Sequence, residues 1–166
     1  MVKQTITVIG INPGTRYLGI SVFHETELRD WRVKVIKGKS QKEKIERGMM
    51  IVSSLVEEYK PNALAIKRIH SSRSSQNLNM LVTKIKEFSR RKKLKVYEYS
   101  IKEMEVFFST EGKTNKKKMV EMIASKYPDL SNEFNREKKQ KNPYHTRMFE
   151  AVALGSICVY QLDSKN

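Results

Sequence analysis

Apolar positions fall into short runs in the first third of the chain and into helical stripes after it. Residues 5–11, 18–24 and 28–36 are rich in Ile, Val and Phe and read as three strands. In the third, Trp31, Val33 and Val35 alternate with Arg32 and Lys34, predicting one buried and one wet face. Pro13-Gly14 breaks the first run from the second, and the short HETE tip at 24–27 suits a hairpin. Ser40-Gln-Lys-Glu43 has capping-box spacing, and Ile45, Met49, Val52, Val56 and Tyr59 follow at helical intervals, with a stop before Pro61. ALAI at 63–66 reads as a buried strand.

Hydroxyls in SSRSS (71–75) offer a cap for a helix carrying Leu78, Leu81, Val82, Ile85 and Phe88 inward and ending at RRKK (90–93). LKVYEY (94–99) predicts a fifth strand, and Ser100-Ile-Lys-Glu103 a second capping box on a short helix to about Phe108. EGKTNKKK (111–118) leads into a helix with Met119, Met122 and Ile123 on one side. The polar stretch 128–143 reads as a mobile loop with at most a helical turn. The last helix is expected from about Tyr144 to Leu162, with Met148, Val152, Gly155, Val159 and Leu162 inward and small residues allowing close approach to a sheet. Three early antiparallel strands, then strands joined by helices, make a mixed α/β fold. The length and the absence of a composition break predict a single domain over 1–166.

Charge changes this picture most. The chain holds 33 Lys and Arg against 18 Asp and Glu, a net +15, and such a field attracts polyanions, nucleic acid first among them. A Lys-rich surface of the thermophilic kind would carry matching Glu, which is missing. One cysteine, Cys158, excludes an internal disulfide, and no run has membrane-spanning length or signal-peptide layout. A cytoplasmic protein with no membrane partner is the expectation. GKT at 112–114 lacks the upstream glycine of a P-loop, since Phe107 stands there. The three histidines, His24, His70 and His145, are scattered, and Cys158 has no partner at zinc spacing, so no metal site is expected from them.

Three places belong together. Asn12 ends the first strand, Lys67 follows ALAI directly, and Arg147 and Glu150 lie three apart on one face of the final helix. If the first and fourth strands are neighbours, their ends meet beneath that helix. Taken singly, Asn12 is ordinary turn chemistry before Pro-Gly, and Lys67 and Arg147 are ordinary surface charges.

These same residues carry a family resemblance. GINPGTRYLGISVF resembles the G-I-D-P-G-S/T-R…G opening of the RuvC Holliday junction resolvases, within the ribonuclease H-like superfamily. PNALAIKRIH is similar to the family's P-D-x-x-A-I-E-x-x-F, LKVYEYSIKEMEVFF and GKTNKKKMVEMI resemble the segments before its linking helices, and MFEAVALGSI resembles its closing D-A-L-A-x-A-I. The likeness runs from about residue 5 to 160. It implies a ribonuclease H-like α/β fold with a five-stranded mixed sheet flanked by helices. It also implies a homodimer acting on four-way junctions, and a catalytic centre holding two Mg²⁺ ions for phosphodiester cleavage.

Carried over by position, that centre falls on Asn12, Lys67, Arg147 and Glu150, of which only Glu150 is a carboxylate. Hard divalent ions take anionic oxygen ligands. A Lys ammonium ~4 Å from a divalent ion would be repelled by roughly 8 kcal/mol at an effective dielectric of about 20. The expectation is therefore no bound cofactor and lost cleavage, with a phosphate paired to Lys67 and Arg147 where metals would sit. An internal cluster of Lys67, Arg147 and Glu150 is the competing outcome. Arg68, Arg73, Arg90, Arg91 and Lys116, Lys117 and Lys118 are candidate backbone contacts, and His70 stands where the family carries a base-stacking aromatic. The alternative is an active structure-selective endonuclease with Mg²⁺ on Glu150 and a carboxylate such as Glu25 or Asp30.

Overall fold

The computed structural model describes residues 5–109, 115–139 and 143–164. Its centre is a five-stranded sheet in the order β3-β2-β1-β4-β5, built from β1 (Thr7–Asn12), β2 (Tyr17–His24), β3 (Glu27–Val35), β4 (Ala63–Lys67) and β5 (Lys95–Tyr99). β1, β2 and β3 pair antiparallel, while β4 and β5 run parallel to β1. The β2–β3 hairpin turns tightly through Glu25, which takes a positive φ of 55°. The ribonuclease H-like α/β class expected from the sequence is the observed one.

Helices α1 (Gln41–Tyr59) and α2 (Gln76–Arg91) cover one face of the sheet. The Ser40 hydroxyl accepts the Glu43 N–H, and the Glu43 carboxylate takes the N–H of Lys39 rather than that of the cap, so the α1 box is half-closed. α2 is capped by Ser75. On the other face lie α3 (Ile101–Phe107), α4 (Lys116–Lys126), α5 (Ser131–Lys139) and α6 (Pro143–Ser164). The Ser100–Glu103 box closes at both ends. Among the described residues, no helix is long and apolar enough to cross a membrane.

Two expectations need correction. Of the stretch 128–143, residues 140–142 lie outside the described residues, and 128–139 is not a loop: a 3-10 turn at Pro128–Leu130 leads into α5, and Leu130 is fully buried. α5 itself buries no residue and rests through half-covered Phe134, so it lacks the apolar stripe that announces a helix. Val35 does not join the buried face of β3, being 45% exposed at the strand's end.

Side-chain alternation sets up everything that follows. In β1, Ile9 and Ile11 point into the α1–α2 core, which leaves Val8, Gly10 and Asn12 on the α6 side. In β4, Leu64 and Ile66 do the same, leaving Ala63, Ala65 and Lys67 toward α6. The α6-facing residues of both strands are thus small until the last one. α6 settles into that shallow trough: the Ser21 hydroxyl donates to the Ala151 carbonyl at 2.6 Å, and Gly155 lies against Phe23. A methyl on Gly10 would come within 2.5 Å of the Ser21 hydroxyl and closer still to the Ala151 carbonyl. The Ala151 carbonyl is helix backbone and cannot swing aside, and the Ser21 hydroxyl can turn away only by giving up its bond to that carbonyl. Gly10→Ala is expected to cost about 1–3 kcal/mol by overpacking, read as a lower urea midpoint with an unchanged m-value.

Candidate functional site at the strand ends

β1, β4 and β5 all end on the same side of the sheet, and α2 and α3 begin there after short connections. In parallel sheets this is the end where loops and helix starts converge to build sites. Parity brings Asn12 and Lys67 to the α6 face, one step past the Ile11–Ile66 pairing, and α6 lowers Glu150 between them.

Glu150 is almost completely buried, with 3% of its side chain exposed, and both of its oxygens are engaged. Lys67 Nζ lies 2.9 Å from Oε1, and Lys116 Nζ, from the first residue of α4, lies 3.5 Å from the same oxygen. Asn12 Nδ2 donates to Oε2 at 2.8 Å. Burial alone would raise the Glu150 carboxyl. The charge and hydrogen bond of Lys67, then the charge of Lys116 and the Asn12 amide, outweigh it and hold the carboxyl below its ordinary range. A partner on each oxygen and a cation beside one of them are what make such burial tolerable.

Arg147 does not complete the cluster in the expected way. Its guanidinium donates to the Pro13 carbonyl at 3.0 Å and to Asn12 Oδ1 at 3.4 Å, lying against Gly14. It braces the Asn12-Pro-Gly turn, and Lys116 takes the place beside Glu150 that the competing internal-cluster reading gave to Arg147. The signal for Lys116 was weak, since it is one lysine in a run of three.

The remaining candidates divide by position. Arg68, His70 and Arg73 are exposed in the connection that leaves β4 at this end. Arg68 forms an ion pair with Glu103 at 3.1 Å, and Arg73 closes a turn through its N–H to the His70 carbonyl. Lys117 and Lys118 are exposed beside Lys116. Arg90 and Arg91, however, sit in the last turn of α2, which runs away from the site for 16 residues, about 24 Å. They are therefore not part of this cluster. Glu25 and Asp30 are also remote. Glu25 belongs to the hairpin at the opposite end of β2, and Asp30 faces α1, where Arg32 and the Tyr59 hydroxyl hold it. Cys158 is fully buried, its thiol pushed up to about 11 by burial, and is a core residue.

The family profile for the crossover junction endodeoxyribonuclease RuvC matches residues 8–135. The chain belongs to the RuvC family. The match covers Asn12, Lys67 and Lys116 and stops before α6. Among solved structures, the chain is similar to Thermus thermophilus RuvC in complex with a Holliday junction substrate: 17% identity over 95% of this chain and 96% of that one, TM-score 0.71. It is also similar to the yeast mitochondrial Holliday junction resolvase Ydc2, at 14% identity over 99% and 82% and a TM-score of 0.69. No curated protein matches.

The two Mg²⁺ ions that the RuvC resemblance implies do not fit the residues present. Among the described residues no three His, Cys, Asp or Glu converge. Glu150, carried by α6, has its oxygens occupied by two ammonium groups and an amide. A divalent ion there would displace those donors and face their charges.

Removing Lys67 leaves Glu150 short of its nearest cation. Lys67→Met is expected to lose about 3–5 kcal/mol at neutral pH, measured by urea unfolding. Because the Glu150 carboxyl is lowered in the fold, the stability its charge contributes is present above the ordinary carboxylate range. It is lost as pH falls through the folded value. Glu150→Gln should flatten that acid limb of the stability profile.

Proposed function

We propose that this RuvC-family chain binds branched, Holliday junction-like DNA, as a homodimer, without cutting it. In this reading Asn12, Lys67, Arg147 and Glu150 occupy the family's catalytic positions, with the metal centre replaced by an internal cluster of ions and hydrogen bonds. The observation that carries the reading is the saturation of Glu150 by Lys67, Lys116 and Asn12. One buried negative charge held by two ammonium groups gives a cleft that attracts phosphates and repels divalent ions. The net charge of +15 and the exposed Arg68, Arg73, Lys117 and Lys118 around the strand ends support a polyanionic partner. Arg147, half-buried, adds its positive charge to the cleft while it braces the Asn12 turn. His70, exposed in the connection after β4, offers a ring for an unstacked base. Among the described residues no three potential metal ligands converge, and Glu25 and Asp30 lie away from Glu150, which supports the non-cleaving reading over a rearranged metal site.

The test is one labelled four-way junction beside a duplex of the same arm sequence. Gel-shift binding without metal should favour the junction by about tenfold, which is about 1.4 kcal/mol. Addition of Mg²⁺ or Mn²⁺ should yield no nicked product. Metal-dependent product that disappears in Glu150→Ala would overturn the proposal, as would equal binding of junction and duplex for its branched-DNA part.

A further inference from the structure

Two ammonium groups share one oxygen of Glu150, and they are not equivalent. Lys67 lies 2.9 Å from Oε1 and is 21% exposed, whereas Lys116 lies at 3.5 Å and is 54% exposed. Their like charges oppose each other across that oxygen. If Lys116 left, Glu150 would still keep Lys67 on Oε1 and Asn12 on Oε2, so no bare buried charge would result. Lys116 is also the first residue of α4, capped by Asn115, with Lys117 and Lys118 exposed beside it. A polyanion approaching the start of α4 meets this local excess of positive charge.

Resting on the nucleic-acid reading above, we infer that Lys116 is an exchangeable phosphate-binding residue, held by Glu150 in the free protein and transferred to a backbone phosphate when nucleic acid binds. Glu150 acts as a placeholder anion that keeps the ammonium at the site, and a phosphodiester oxygen takes over that role. Lys67 stays behind as the permanent counter-ion. The exchange moves no covalent bond, and it separates two lysines that look alike in sequence: one structural, one for the ligand.

The experiment compares the salt dependence of junction binding for the unmodified chain, Lys116→Gln and Lys116→Arg, with thermal unfolding of each. Loss of one phosphate contact should reduce the slope of log K against log salt by about 0.9 in Lys116→Gln. Lys116→Arg should restore it, and both variants should keep Tm within about 2 °C of the parent. An unchanged slope in Lys116→Gln, or a lower Tm with the slope kept, overturns the exchange and makes Lys116 a structural partner only. No junction binding by the unmodified chain overturns the nucleic-acid reading itself, an outcome separable from either of these.

Discussion

A carboxylate with almost no access to water must find its counter-charges inside the protein, and the strand-end site is arranged around that need. Glu150 finds Lys67 at the end of β4, Lys116 at the start of α4 and the Asn12 amide at the end of β1. Those three residues come from elements far apart in sequence, so the cluster joins the sheet to α4 and α6 in one place. The partners are not equal: Lys67 is the nearer and less exposed cation, while Lys116 is the farther and more exposed one. A divalent ion at Glu150 would have to displace these donors, because the positive charge it would bring is already supplied by ammonium groups.

The arrangement depends in turn on how closely α6 approaches the sheet. Small residues facing α6 on β1 and β4 form the trough, and the Ser21 hydroxyl pins the helix by its Ala151 carbonyl. Gly19 gives passage to the backbone of Arg147, and Gly155 makes room for Phe23. A helix riding higher would leave Glu150 unable to reach both strand ends. Packing at the middle of the sheet therefore decides chemistry at its edge, which links the RuvC-type scaffold to this site even without the family's usual ligands.

Much of this was legible in the sequence, for physical reasons that can be named. Alternation in ITVIGIN and ALAIK puts Asn12 and Lys67 on one face, and helical spacing puts Arg147 and Glu150 on another that can meet it. Both capping boxes were visible as spacing, although the one at Ser40 closes on Lys39 rather than on itself. What was not legible is equally specific. α5 escaped because its contact with the core is a single half-covered ring, Phe134, too little to impress a period. Lys116 was read as a ligand contact, but which lysine of three reaches a buried acid depends on the helix phase set by the Asn115 cap. That Arg90 and Arg91 lie at the far end of α2 from the strand ends was not legible, because a charge cluster carries no information about which end of its helix faces a site. The competing internal cluster set Arg147 beside Glu150 by proximity along α6, but the Pro13 carbonyl, invisible to any charge argument, claimed it instead.

The central claim is that ammonium groups occupy the place of divalent metal around Glu150. Its most direct test is paramagnetic line broadening by Mn²⁺ in an amide correlation spectrum of the free protein. The account predicts that signals of Asn12, Lys67 and Glu150 keep their widths through millimolar Mn²⁺, with any loss confined to scattered exposed acids. Selective broadening centred on those three residues at low Mn²⁺ would contradict it and return a metal to the site.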